Sequence, residues 1–221
     1  MSLSVAVIGA TGDVGRGITR AAGERGWSVT AIGRDLTRLE SLSASLGSPT
    51  LVEGSIATAA DAEQLADALD LDCLDAIVLS TSAQWDPRPA LETTWADTTR
   101  FFDAYLQAHM VAGTTLAPRL PQNAVLLGIG GGMADFPAPG MGVLSMAQAA
   151  QRMWYRHLAR EAGKRGVHVR EVMIASMVAG DSNREHADSA WLTDAQIGAQ
   201  VCDVVSDPAA YKTITTLTSQ S

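Results

Sequence analysis

The sequence predicts an α/β fold in which helices cover both faces of a doubly wound parallel sheet, giving three α/β/α layers. Three observations indicate this class. Apolar, β-rich runs alternate with helical stretches from end to end, the run Ile77-Val78-Leu79 is as continuously apolar as a central parallel strand, and no repeat or linker interrupts the pattern. Because 221 residues fall within the size range of one α/β domain, we expect a single domain over residues 1–221.

The alternation places each element in turn. Strands are predicted over residues 4–9, 28–33, 50–53, 75–80, 124–129, 167–174 and 212–218. Helices are predicted over residues 15–25, 35–46, 59–69, 91–116, 143–162 and 194–205. Asp35 is an expected N-cap of the second helix. Pro118 ends the long fourth helix, and the run Gly-Ile-Gly-Gly-Gly at 128–132 predicts a loop after the fifth strand.

The composition excludes several classes of function. The chain has 16 Lys and Arg against 24 Asp and Glu, a net charge of −8, and no basic run, so we expect no nucleic-acid partner. No apolar run is long enough to cross a bilayer, so we expect no membrane partner. Cys73 and Cys202 form no metal-binding pattern, which predicts no metal site and favours a reducing, cytoplasmic location.

The loop after the first strand gives the first indication of a ligand. Its glycines are three residues apart: Gly9 allows the turn, Gly12 lets backbone N–H groups approach a pyrophosphate, and Gly15 lets the following helix pack closely. Because the loop follows an apolar strand and opens a helix, it predicts a Rossmann-type dinucleotide site, with a merely structural turn as the alternative. The loop residues expected at that site are Gly9, Thr11, Gly12, Asp13, Val14 and Gly15.

The end of the second strand distinguishes the two nicotinamide dinucleotides. Arg34 can hold a ribose 2′-phosphate in a charged, bidentate contact, which favours NADP(H), and Arg16 can add a second positive charge. NAD(H) stays possible, because Asp35 can instead accept a hydrogen bond from a free 2′-hydroxyl while Arg34 is solvated. NADP(H) is favoured since Asp35 is also well placed as a helix cap.

Together these motifs resemble the short-chain dehydrogenase/reductase (SDR) superfamily over essentially the whole chain. Residues 7–12, Val-Ile-Gly-Ala-Thr-Gly, resemble the cofactor loop of its extended and atypical members, and residues 33–35, Gly-Arg-Asp, with 38–39, Arg-Leu, resemble its NADP-preferring second unit. The resemblance implies an oxidoreductase that binds a nicotinamide cofactor and a small molecule. It adds Ser80 and Thr81, in the motif after the fourth strand, and Gln148 to the expected cofactor contacts.

By the same resemblance, the catalytic Ser-Tyr-Lys residues of the family are lacking. The serine position falls at Gly131, and the tyrosine and lysine positions fall at Leu144 and Gln148. Leu144 cannot donate a proton, whereas Gln148 can still hydrogen-bond a ribose. The catalytic residues are therefore unknown, and weak substitutes are Ser145, Asp86 and Asp135.

The two long helices, 91–116 and 143–162, correspond to the pair through which family members commonly dimerise, so we expect a homodimer or homotetramer. Their aromatic and methionine residues suit an interface or can face the sheet; they are Trp95, Phe101, Phe102, Tyr105, Met153, Trp154 and Tyr155. His109 is expected at the surface or at a subunit contact, and Tyr155 in packing or at the interface. The family's asparagine on the first of these helices falls near Met110.

The sequence therefore favours an NADP(H)-binding oxidoreductase with a non-standard active site, acting on a small apolar carbonyl or alkene. Two alternatives stay open. One is a catalytically inactive NADP(H)-binding sensor or regulatory protein, and the other is an SDR-fold enzyme with non-redox chemistry, such as an isomerase, cyclase or lyase.

Overall fold

The computed structural model describes residues 2–219, so positions 1, 220 and 221 of the predicted domain lie outside the described residues. The strands are β1 (Ser4–Ile8), β2 (Ser28–Gly33), β3 (Thr50–Glu53), β4 (Ala76–Leu79), β5 (Val125–Gly131), β6 (His168–Ile174), β7 (Val178–Ala179), β8 (Leu192–Thr193) and β9 (Ile214–Leu217). The helices are α1 (Asp13–Glu24), α2 (Leu36–Leu42), α3 (Ala59–Ala68), α4 (Trp95–Thr115), α5 (Gly142–Ala162) and α6 (Asp194–Ser206). None of these helices is both long and apolar enough to cross a membrane.

Seven strands form the main sheet in the order β3-β2-β1-β4-β5-β6-β9, and each neighbouring pair is parallel. The predicted doubly wound parallel sheet is confirmed. Strand order reverses between β1 and β4, because the chain runs outwards through β2 and β3 on one side and through β5, β6 and β9 on the other. In open parallel sheets ligands bind beyond the carboxyl ends of the strands at this switch point.

Each face of the sheet has its own hydrophobic core. In β1, Val5 and Val7 pack into the core formed with α1, α2 and α6, whereas Ala6 and Ile8 pack into the core formed with α3, α4 and α5. The residues of β4 alternate in the same way. Since both faces are buried, these strands are apolar at every position after Ser4, and each fully buried valine or isoleucine contributes roughly 1.5–3 kcal/mol.

Four elements differ from the sequence prediction in ways that affect the site. Helix α4 begins at Trp95 instead of residue 91, because Thr94 and Asp97 form a reciprocal capping box at its start. Strand β5 extends through Gly131, so most of the predicted glycine loop is strand, paired in parallel with β6. Strands β7 and β8, two residues each, were not predicted and are too short to leave a periodic pattern.

The aromatic residues of α4 and α5 divide between the core and the surface. Phe101, Tyr105 and Tyr155 are buried, so they do not form an exposed interface. Trp95 and Met153 are 76% and 50% exposed. Only the outward-facing part of the predicted interface set is therefore available to a second subunit.

Candidate functional site

Two neighbouring cavities lie beyond the carboxyl ends of the central strands. The larger, here called the groove, has a volume of about 900 Å³ and extends from the glycine loop past the end of β2 to α4. The smaller, here called the inner cavity, has a volume of about 490 Å³ and lies between the end of β5, α5 and the segment after β6. Gly12, Ser80, Thr81 and Ser82 line both cavities.

The glycine loop has the backbone conformation that its spacing predicts. Gly9 has φ +85°, and a Cβ there would overlap the carbonyl oxygen of Ser80. A Cβ at Gly15 would overlap the carbonyl oxygen of Gly9, so α1 packs directly on the turn. Gly12 is exposed, and no side chain caps the N-terminus of α1. Its first N–H groups are therefore available to an anion.

The charged side chains of this loop bind other parts of the protein. The Asp13 carboxylate accepts hydrogen bonds from the backbone N–H and the hydroxyl of Ser182. Arg16 donates to the carbonyl oxygen of Thr11 at 3.2 Å and forms an ion pair with Asp181 at 3.3 Å. Arg16 is thus held by acidic and carbonyl partners, and the structure gives no support to its expected role as a second charge for a phosphate.

The end of β2 presents Arg34 to the groove. Arg34 is exposed, lines the groove, and makes no hydrogen bond or ion pair with any described residue. The expected cap is confirmed: the Asp35 carboxylate accepts from the Arg38 N–H at 3.0 Å. The Arg38 guanidinium lies 3.4 Å from the carbonyl oxygen of Thr11, so two arginines flank this end of the groove.

Two of the three positions that the family resemblance assigns to catalytic residues come together in the inner cavity. Gly131 ends β5, and a Cβ there would overlap the side-chain amide of Gln148 on α5. Gln148 Oε1 is buried and has no hydrogen-bond partner among residues 2–219. Leu144 does not line the cavity and packs instead against an apolar cluster that includes Phe101 and Val143.

Helix α4 contributes Tyr105 to the inner cavity, and not Met110, which is 40% exposed. The Tyr105 ring is buried and stacks on Phe101 with centroids 5.6 Å apart. Burial and the charge of Glu171 raise the pKa of its hydroxyl, while a hydrogen bond with the Gln148 side chain lowers it. The net shift is upward, so Tyr105 stays protonated at physiological pH.

A buried polar chain connects the cavity wall to the interior. His109 Nδ1 lies 3.0 Å from Tyr155 Oη, and its Nε2 lies 3.4 Å from Thr81 Oγ1. Both His109 and Tyr155 are fully buried, so the expectation of a surface His109 is wrong. Burial lowers the pKa of His109 to about 4, so the ring is neutral and orients the Thr81 side chain.

Glu171 on β6 lies behind the inner cavity and is 1% exposed. Its Oε1 accepts a hydrogen bond from Gln151 Nε2 at 2.9 Å, whereas Oε2 is buried and unpartnered in the described chain. Burial raises the pKa of Glu171 to about 7, against the opposing effects of Arg152, Gln151 and Arg156. Gly130 makes room for this carboxylate, since a Cβ there would overlap it.

The three weak catalytic substitutes lie outside the inner cavity. Asp135 pairs with Arg152, whose hydrogen bond lowers the pKa of that carboxyl and keeps it ionised. Ser145 Oγ lies 3.4 Å from the carbonyl oxygen of Phe136, where it braces the loop. Asp86 is exposed in the groove. None of the three is placed to exchange a proton beside Gln148.

The sequence analysis did not predict that Tyr105, His109 and Glu171 lie at or behind the inner cavity. A signal for the first two is present, because Phe101, Tyr105 and His109 are four residues apart and share one face of α4. Glu171 has no such signal, since it stands beside Arg170 in a strand and its burial follows from how α5 covers β6.

Solved structures similar to this chain are dehydrogenases and reductases. They are a short-chain dehydrogenase/reductase from Serratia marcescens (TM-score 0.82, 18% identity, covering 97% of this chain and 96% of that one), a dehydrogenase/reductase from Sinorhizobium meliloti 1021 (0.82, 22%, 98% and 94%), and a serine dehydrogenase in its closed form with NADP+ (0.81, 20%, 97% and 94%). No curated protein sequence matches closely enough to count as a relative. These similarities establish the fold.

The family comparison covers almost the whole chain. The family model described as Enoyl-(Acyl carrier protein) reductase matches residues 9–219, from the first loop glycine to the end of the described chain. That match includes the glycine loop, both cavities and the α4–α5 pair. The chain therefore belongs to the short-chain dehydrogenase/reductase superfamily.

Proposed function

We propose that this chain is an NADP(H)-dependent oxidoreductase whose substrate is a small, apolar carbonyl compound or activated alkene. The proposed substrate site is the inner cavity. Its wall is mainly apolar, with a few hydroxyl and amide groups that can orient one polar end of a ligand. The apolar residues are Val14, Ile129, Met133, Ile174, Met177 and Val178.

The described residues fit a nicotinamide dinucleotide. The open backbone at Gly12 and the uncapped start of α1 suit its pyrophosphate, with Asp13 and Val14 contributing backbone N–H groups. The unpartnered Gln148 Oε1 suits a donor such as a ribose hydroxyl or a carboxamide N–H. When bound, the cofactor supplies or accepts a hydride. The protein holds it between the groove and the inner cavity through Ser80 and Thr81.

The observation that carries the choice of NADP(H) is the unpartnered guanidinium of Arg34. An arginine that is exposed in the groove without a carboxylate partner is free to bind a 2′-phosphate, and Arg38 adds charge nearby. Asp35, the competing residue for a free 2′-hydroxyl, already accepts a hydrogen bond from the start of α2.

The substitution Arg34→Ala tests this assignment. We expect it to weaken NADPH binding by roughly 1.5–3 kcal/mol, the contribution of a charged hydrogen bond, and to leave NADH binding nearly unchanged. Calorimetric titration of both cofactors measures this difference. Asp35→Asn is the matched control, because asparagine keeps the cap and removes only the carboxylate.

Two results would contradict the assignment. Equal losses of NADPH and NADH affinity in Arg34→Ala would show that Arg34 does not distinguish the cofactors. A selective loss of NADH affinity in Asp35→Asn would instead assign the ribose contact to Asp35.

A second candidate is an NADP(H)-binding sensor or regulatory protein without turnover. It is favoured by Leu144, which is packed in an apolar cluster where the family resemblance expects an acid. A sensor requires different affinities for NADP+ and NADPH, because a ligand shifts an equilibrium only through differential binding. Equal affinities for NADP+ and NADPH would contradict the sensor function.

For the non-redox alternative, an isomerase, cyclase or lyase, activity should persist without added nicotinamide.

A further inference from the structure

The inner cavity contains one acidic hydroxyl. Its lining residues with an O–H group are Ser80, Thr81, Ser82, Ser176 and Tyr105. Serine and threonine hydroxyls are far weaker acids than a phenol, whose ordinary pKa is about 10. Asp13 also lines the cavity, but its side chain accepts hydrogen bonds from Ser182 and pairs with Arg16, so both of its roles there are those of an acceptor. Of the described lining residues, only Tyr105 is both acidic and protonated at neutral pH.

The ring of Tyr105 lies between two other rings of α4. It stacks on Phe101 with centroids 5.6 Å apart, and its centroid lies 5.9 Å from that of the His109 ring. Tyr105 is only 4% exposed. Its hydroxyl interacts with the Gln148 side chain, which itself touches Gly131 at the end of β5. Leu144 packs in the same apolar cluster as Tyr105. The Tyr105 phenol on α4 thus lies near Gly131 of β5 and Leu144 of α5, the positions at which the family resemblance expects the catalytic serine and tyrosine.

We propose that Tyr105 is the catalytic acid of this site, donating the Oη proton to the oxygen of a bound carbonyl substrate. This proposal rests on the proposed function. The C=O π pair moves to oxygen as the cofactor's hydride forms the new C–H bond, and Oη–H breaks as the alcohol O–H forms. The C–H bond that held the hydride on the reduced nicotinamide breaks in the same step. The products are therefore an alcohol, NADP+ and a tyrosinate, which regains a proton from solvent water.

The surroundings of Tyr105 suit this step. An alkoxide is a much stronger base than a tyrosinate, so the proton transfer is favourable even though burial raises the pKa of Tyr105. A side-chain N–H of Gln148 can donate to the tyrosinate oxygen as charge develops. The other titratable groups near Tyr105 are His109, whose ring is neutral, Tyr155 and Glu171. Arg152 and Arg156 on α5 lie close enough to Glu171 to lower its pKa.

Tyr105→Phe in the NADPH-loaded full-length protein tests the proposal. The probes are butanal, cyclohexanone and 9,10-phenanthrenequinone. We expect kcat to fall by roughly 10²–10⁴-fold, the usual contribution of a positioned general acid, with no change in the Kd for NADPH. Tyr211→Phe is the control: it removes a tyrosine hydroxyl beside the core formed with α1, α2 and α6, Tyr211 lines neither cavity, and kcat should be retained.

A second measurement keeps the proposal open to refutation if Tyr105→Phe does not fold. Replacing Tyr105 by 3-fluorotyrosine keeps the hydroxyl and lowers its pKa. In alcohol oxidation Tyr105 must be ionised to accept the proton, so the limb of the pH profile on which the rate rises with pH should then move to lower pH. An unmoved limb overturns the assignment.

The remaining outcomes distinguish this proposal from the function on which it rests. Full activity in a folded Tyr105→Phe variant overturns the catalytic role of Tyr105 but does not contradict the proposed oxidoreductase function. A wild-type protein that binds NADPH but reduces none of the probes overturns both the reductase and its acid, and leaves the cofactor assignment. A wild-type protein that binds no NADPH overturns the proposed function itself.

Discussion

At the scale of single residues, Glu171 is the least expected feature of the molecule. A carboxyl that is 1% exposed, with one oxygen unpartnered among the described residues, costs free energy when it is ionised. Protonation relieves this cost, and burial accordingly raises the pKa of Glu171 to about 7. Glu171 therefore makes the free energy of unfolding depend on pH up to about pH 7.

The sign of this dependence follows from the two states. The ordinary pKa of 4.5 applies to the unfolded chain, so between pH 4.5 and about 7 the unfolded chain has lost the proton that the folded chain retains. The contribution of Glu171 to the free energy of unfolding is full below pH 4.5, falls by roughly 3 kcal/mol up to pH 7, and is constant above that.

Glu171→Gln isolates this contribution, because glutamine has a similar shape and does not titrate. Urea unfolding of both proteins from pH 4 to 8 measures it, and we expect the variant to gain stability relative to wild type as the pH rises. Two parallel stability profiles would show that Glu171 does not retain its proton in the fold.

At the scale of elements, β5 explains the glycine run of residues 128–132. Gly128 and Gly130 lie two apart, on one face of the strand, where a Cβ would overlap Tyr155 and Glu171 respectively. The glycines therefore belong to a strand that lies close to Tyr155 of α5 and to the Glu171 side chain of β6. Their spacing was visible in the sequence, but a glycine run favours a loop unless the parallel neighbour strand is known.

Gly128→Ala tests this packing. The added methyl group meets the Tyr155 ring and hydroxyl, so we expect a loss of about 1–3 kcal/mol in the free energy of unfolding. Gly142→Ala is the control, because a Cβ at this first residue of α5 has no atom within 4 Å. Denaturant unfolding of both variants measures the difference. A Gly128→Ala protein as stable as the control would contradict the close approach.

At the scale of the whole molecule, the α4–α5 pair leaves apolar side chains on its outer surface. Met146 and Met153 lie seven residues apart on α5, and both are about half exposed, while Trp95 projects from the start of α4. These residues keep the prediction of a homo-oligomer through α4 and α5 in place.

Met153→Glu tests the oligomer. Wild-type protein should elute in light-scattering chromatography with at least twice the 23.1 kDa of one chain, and the charged variant should shift towards the monomer, because burying an unpaired carboxylate is costly. A monomeric wild type, or an unchanged assembly in the variant, would show that this face is not the contact.

The sequence by itself determined the order of elements, the parallel sheet and the glycine loop, because these depend on local periodicity and on backbone conformations that few residues adopt. It also identified Arg34 and the Asp35 cap, since both follow from position at a strand end. Only the tertiary structure decided which side chains meet across the inner cavity. Tyr105 and Glu171 come from α4 and β6, and no local pattern encodes how helix packing brings Tyr105 against Gln148 and Glu171 against Gln151.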